Sequence, residues 1–169
     1  MELLIPGLIL VALMVYASTR LKKYTAAAFE AETVEMDEFV VDKPDGFLHV
    51  INGDPKFAFE SYSKEYGTGD ASNIRKGTAK LRIRSGISLR DAAKQLTGTG
   101  KPAEDFNEVV DGHRYRMLVV KRDDGDAQRV ISYKLSENGG RVFEFEVAAL
   151  AEAAEQSWVS EFINGFRIK

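Results

Sequence analysis

A chain of 169 residues with no cysteine and four prolines is the size of one domain plus a small attachment. Its 44% hydrophobic and 29% charged residues suit a chain that buries a core, and they argue against disorder over most of the length, a disulfide framework or a cysteine-based zinc site. The net charge of −3 argues against a strong general affinity for nucleic acid, so no such partner is expected.

Leu3 to Ala17 is apolar almost without a break, and Ser18 and Thr19 extend the charge-free run to residues 3–19. That is the lower end of what a helix needs to cross a bilayer of roughly 30 Å. Tyr16 stands near one end, where an interfacial aromatic belongs. Pro6 falls in the first turn, where its missing N–H costs little. A cleaved signal peptide has a basic segment ahead of its apolar run, and only Met1 and Glu2 stand there, although Val15-Tyr16-Ala17 has the small-residue shape of a cleavage site. A buried core helix has a polar face, and this run has none before Arg20, Lys22 and Lys23. A retained single-pass transmembrane anchor over residues 1–23 is therefore expected, with residues 3–19 in the bilayer.

Orientation follows from charge. Arg20, Lys22 and Lys23 flank only the C-terminal end, and the cationic side belongs in the cytoplasm. The N-terminus then lies outside the cell inner (cytoplasmic) membrane, and residues 24–169 are cytoplasmic. The three cations are placed to touch the membrane surface, each contributing of order 1 kcal/mol with anionic head groups. Residues 24–38 carry Glu30, Glu32, Glu35, Asp37 and Glu38 and read as an acidic connector. Such a segment is a solvated linker that holds the domain off anionic lipid, or a docking segment for a basic partner.

Residues 39–169 read as a soluble α+β domain. Phe39-Val40-Val41 is a short strand before the Pro44-Asp45-Gly46 turn, and Phe47 to Ile51 is a second apolar stretch. Lys56 to Tyr62 alternates, with Phe57, Phe59 and Ser61 on one side. Gly67 to Asn73 is a polar loop. Lys76 to Arg84 alternates more cleanly: Ala79, Leu81 and Ile83 face one way, Lys80, Arg82 and Arg84 the other. Ser88 opens a helix as its cap, Asp91 follows three residues on, and Leu89, Ala92, Ala93 and Leu96 share a face before Gly98. Hairpin signals then recur at Asp111-Gly112, Asp123-Asp124-Gly125-Asp126 and Asn138-Gly139-Gly140, separating strands at 106–110, 113–121, 128–135 and 141–149. Leu150, Ala154, Trp158, Phe162 and Phe166 recur every four residues and predict one closing amphipathic helix packed across the sheet. The layout is an antiparallel sheet packed with helices.

The order of these elements resembles the PsbP-like fold. The matching pieces are Val109-Asp111-Gly112 ahead of the meander and Trp158 with Phe162-Ile163-Asn164-Gly165-Phe166 at the end. That group includes the PsbP proteins of photosynthetic membranes, the bacterial DcrB lipoproteins and a Ran-binding nuclear import factor. The resemblance covers about residues 37–168. It implies a binding or assembly factor rather than an enzyme, and a reaction-centre or light-harvesting partner if the chain comes from a phototroph. A membrane anchor with a cytoplasmic domain departs from the soluble lumenal or lipid-anchored members.

Enzyme signatures are absent from the sequence. His49 and His113 have no second metal-type ligand at a useful spacing, and Asp123, Asp124 and Asp126 do not complete a calcium loop. Gly98-Thr99-Gly100-Lys101 fails as a phosphate loop, because Gln95 replaces the first glycine and Pro102 the Ser or Thr. Glu144 and Glu146 share a strand face without any sign of burial. No catalytic residue, metal or cofactor is expected. The most suggestive surface is cationic: Lys80, Arg82, Arg84, Arg114 and Arg116 form a candidate partner-docking face, or a solvated face balanced by Glu144 and Glu146. The function expected is that of a non-enzymatic accessory or assembly subunit of a larger membrane protein complex. The alternative is a tethered module that binds a lipid or another small apolar ligand.

Overall fold

A computed structural model describes residues 4–66, 74–98, 100–123 and 127–169. A helix, α1 (Leu4–Ala27), leads into strands β1 (Glu32–Glu35), β2 (Phe39–Lys43), β3 (Phe47–His49), β4 (Phe59–Ser63), β5 (Glu65–Tyr66), β6 (Ile74–Arg75) and β7 (Gly77–Ser85). Helix α2 (Leu89–Thr97) follows, then strands β8 (Glu104–Val110), β9 (His113–Asp123), β10 (Gln128–Asn138) and β11 (Arg141–Leu150). The chain closes with a 3-10 turn (Ala151–Ala153), helix α3 (Ser157–Gly165) and strand β12 (Phe166–Ile168).

Among the described residues the main sheet has the order β3-β4-β7-β11-β10-β9-β8, and its pairs are antiparallel. A second sheet has the order β1-β2-β12, and β5 pairs with β6. The turns follow from local chemistry. Asp111 and Gly112 have φ of 52° and 82°, so both central residues are left-handed, as a two-residue hairpin with the native twist requires. Ser88 caps α2 by accepting from the Asp91 N–H at 3.1 Å, and its hydroxyl meets the Asp91 carboxylate at 2.7 Å.

Period two in the strands divides the sheet into two faces. On one, Ala79, Leu81, Phe143, Phe145, Val147, Tyr115 and Met117 are buried beneath α3 and the small sheet. Phe145 stacks on Phe166 with ring centroids 4.8 Å apart, and Phe47 meets Phe162 edge-on at 4.9 Å. On the other face, α2 lays Ala93, Leu89 and Leu96 on Leu118, Val120, Ile131, Tyr133 and Leu135. The α+β class, the antiparallel sheet and the inward set of β7 are as the sequence predicts.

Three expectations are corrected. The closing helix is shorter than its pattern: Leu150 ends a strand, Ala154 follows the 3-10 turn and Phe166 begins β12. All three elements turn a residue inward at that spacing, which imitates one helical stripe. The acidic connector 24–38 is part structure, since α1 runs on to Ala27 and β1 pairs with β2 in the register Val34↔Val41. Phe57 lies before β4 rather than in it. The loop at Gly67–Asn73 and the turn residues Asp124–Asp126 lie outside the described residues.

The anchor is not shown as drawn from the sequence. Among the described residues no helix is long and apolar enough to cross a membrane.

Candidate functional site

The predicted cationic face exists, but it is largely neutralised. The registers Arg82↔Glu144, Glu144↔Leu135 and Leu135↔Arg116 put these residues on one row across four strands, on the α2 side. Arg84 donates to Glu144 at 2.9 Å and to the Gln95 side chain of α2 at 2.9 Å. Arg82 lies 3.9 Å from the same carboxylate, and Lys80 lies 3.1 Å from Glu60. Both Lys80 and Arg82 also sit over the Phe57 ring, at 4.6 and 5.2 Å. Arg116 binds Asp105 through two bonds of 2.9 and 2.8 Å, which holds that carboxyl below its ordinary range. Arg114 is exposed. Glu144 is 4% exposed, so the expectation that nothing marks it as buried is corrected: two arginines cover it.

The basic flank of α1 is exposed, as is every residue from Ile9 to Ala28. Arg20 sits over the rings of Tyr16 and Tyr24 at 5.9 and 5.8 Å. Just beyond, the chain is fastened to the domain. The Phe29 carbonyl accepts from the Gly46 N–H at 2.8 Å, and the Lys64 ammonium lies 4.7 Å over the Phe29 ring. Lys43 is buried and donates to the carbonyls of Glu30 and, at 2.8 Å, Phe47. Burial holds the Lys43 pKa below its ordinary value.

Several grooves among the described residues are larger than a single side chain, and two of them flank the main sheet. One, of about 490 Å³, lies between Met36 and the loop 50–58 and includes His49, Asp54 and Glu60. His49 stacks on Phe59 at 5.1 Å, and burial lowers its pKa below 6.5. The other, of about 340 Å³, lies between α3 and the β8–β9 margin of the sheet. The sequence could not reveal either, because each joins segments distant in the chain. His113 opens β9 and takes no part in either groove.

The interior polar groups are structural. Lys134 is 1% exposed and donates to the Ile163 carbonyl at 3.0 Å. The Tyr115 hydroxyl accepts from the Ile168 N–H at 3.0 Å, tying β12 to β9. Burial raises the phenol pKa of both Tyr115 and Tyr133. Among the described residues no group of three acidic or histidine side chains is placed to hold a metal ion. The surface presents a paired charged face, an exposed apolar helix and several grooves.

No family model and no curated relative matches the chain. Solved structures do. Cyanobacterial PsbP (CyanoP) from Synechocystis sp. PCC 6803 is 12% identical with a TM-score of 0.57, over 83% of this chain and 94% of that one. LpqN of Mycobacterium tuberculosis, described as involved in cell envelope biogenesis, is 12% identical with a TM-score of 0.57, over 83% and 91%. The Ran-binding protein Mog1p of Saccharomyces cerevisiae is 14% identical with a TM-score of 0.52, over 83% and 96%. At these identities the likeness is one of architecture, and on that ground the chain has the PsbP-like fold.

Proposed function

We propose that this chain is a membrane-tethered accessory or assembly factor, which acts by binding a larger membrane protein complex rather than by catalysis. One observation carries the reading. Ile9, Leu10, Val11, Leu13, Met14, Val15 and Tyr16 are each 55–63% exposed, on all sides of α1. Apolar surface of that extent in water calls for cover, and the domain offers none. Leu3 to Leu8 lengthen the apolar run in the sequence to residues 3–19, enough for a short span. Arg20, Lys22 and Lys23 then lie at the cytoplasmic head groups. The domain, fastened to the helix end through Phe29 and Glu30, is held close to the bilayer. Tethering raises the effective concentration of a partner in the same membrane, so a modest contact suffices. The fold supports an accessory role by analogy, since LpqN is described as involved in cell envelope biogenesis and Mog1p as Ran-binding. Lys80, Arg82, Arg84, Arg114 and Arg116 contribute less to docking than their number suggests, because four of them face carboxylates.

The tether is tested by extracting native membranes with alkaline carbonate and high salt. The full chain is expected to stay in the membrane pellet, and a chain lacking residues 1–23 to leave it. Release of the full chain by either wash would overturn the tether.

A further inference from the structure

Strand β8 is the last strand of the main sheet, so one of its long edges has no neighbour among the described residues. Backbone N–H and C=O groups on such an edge are a template for another strand. The register Glu104↔Val119, Phe106↔Met117 and Glu108↔Tyr115 turns Glu104, Phe106 and Glu108 toward the α3 side. There α3 stops short of the sheet margin and leaves the groove of about 340 Å³. Phe106, Met117, Val159 and Ile163 line it, and Glu104 and Glu155 stand at its rim. Phe106 is 47% exposed, a large aromatic on an edge strand, and Val109 on the opposite face is 67% exposed.

The charge of this edge selects its occupant. Along β8 the acidic residues are Glu104, Asp105 and Glu108, and no cation occurs in the strand. Arg116 already binds Asp105 and Lys134 lies 3.3 Å from Glu108, so Glu104, with Glu155 across the groove, carries the negative charge offered to a partner. Of the charged residues lining the groove, both are acidic. A second copy of β8 would set carboxylate against carboxylate, and an anionic lipid surface would be repelled as well. We propose that the β8 edge receives an extended basic segment of a partner protein, added to the main sheet as a further strand. On the α3 side the added strand alternates cation, apolar residue, cation. The apolar residue seats against Phe106 in the groove, and one cation faces Glu104. Main-chain hydrogen bonds supply affinity, and the alternate side chains supply specificity. The inference rests on reading the chain as a binding factor, and it does not depend on the anchor.

The test uses the full chain in mild detergent and a synthetic peptide, Thr-Lys-Thr-Leu-Thr-Lys-Thr, with a control in which both Lys are Glu. Affinity is read by fluorescence anisotropy, and location by amide hydrogen exchange. The expected result is binding of the Lys peptide at low salt, lost as salt rises, with slowed exchange in residues 104–110. Phe106→Asp is expected to weaken binding about tenfold or more, and Glu104→Lys to weaken it as well. Both side chains are exposed, and each variant's thermal midpoint checks its fold. Failure of the Lys peptide to bind, equal binding of the Glu peptide, protection elsewhere than β8, or indifference to both substitutions would each overturn the proposal. A chain that co-purifies with a membrane complex yet fails these tests contradicts this inference alone.

Discussion

The ammonium of Lys134, in β10, donates to the carbonyl oxygen of Ile163 near the end of α3 at 3.0 Å. It lies 3.3 Å from the Glu108 carboxylate and 4.5 Å over the Tyr115 ring. One buried cation thus joins helix, sheet and edge strand. Its burial disfavours the charged form and lowers its pKa, with Glu108 acting in the opposite direction. The unfolded lysine keeps its proton up to about 10.5, while the native one loses it at lower pH. Between those points the unfolded chain binds more protons, so this residue adds stability as pH rises. The raised phenols of Tyr115 and Tyr133 act oppositely above pH 10, so the comparison must be with a variant. Lys134→Met keeps the packing of the stem but leaves the Ile163 carbonyl without its donor, and is expected to cost about 1–3 kcal/mol at neutral pH and to lose the alkaline gain. Lys134→Ala strands the same carbonyl and also removes the buried stem, and is expected to cost more than Lys134→Met. Urea unfolding from pH 7 to 10 reads both.

Glu144 is the hub of the charged face. Glu144→Gln removes the partner of Arg84 and Arg82 from a site only 4% exposed, and is expected to cost about 1–3 kcal/mol. Arg82→Ala touches a looser contact on a half-exposed side chain and is expected to cost less than about 1 kcal/mol. Urea midpoints of the two variants give the ranking, and equal losses would mean that burial of Glu144 carries no weight.

Gly77 begins β7 beneath the Trp158 ring. A Cβ at Gly77 would overlap the indole, with Cζ3 at 2.8 Å. Gly77→Ala is expected to cost about 1–3 kcal/mol by overpacking. Trp158 is half-buried, donates to the Gln156 side chain at 2.8 Å and meets Phe47 at 4.8 Å. Trp158→Ala is therefore expected near the low end of the roughly 3–5 kcal/mol for a large aromatic. The double variant is expected to lose less than the sum of the two, because the alanine at 77 then meets no ring. Strict additivity would contradict this contact.

His49 gives the acid side of the pH profile. Burial, its largest influence, holds its pKa below 6.5. As pH falls through 6.5 the unfolded chain takes up the proton first, so native stability declines from there down to the native pKa. His49→Gln is expected to flatten that part of the profile in thermal melts between pH 7 and 5. An unchanged slope would mean that the imidazole is not desolvated.

Much of the fold was legible because short-range chemistry decides it. Lys80, Arg82 and Arg84 alternate with Ala79, Leu81 and Ile83, and only one register of β7 buries the apolar set. Asp111-Gly112 and Gly139-Gly140 supply the positive φ their hairpins need. Strand β1 was not legible: Glu32-Thr33-Val34-Glu35 has one apolar residue, and its pairing with β2 comes from tertiary context. The burial of Lys43 and Lys134 was not legible either, since lysine usually stays in water and here backbone carbonyls receive each ammonium. The cationic face could be read as a set of residues, but its neutralisation by Glu60, Asp105 and Glu144 depends on strand order. The β8 groove needs β8, β9 and α3 together, and sequence pattern does not bring them together.

The central claim is that this chain serves a larger membrane assembly. Native mass analysis of the protein, purified from its own membranes in mild detergent, tests that most directly. The account predicts co-migration in fixed ratio with a larger complex across several detergents and salt concentrations. Migration alone, or as a small homo-oligomer, under all of those conditions would contradict it.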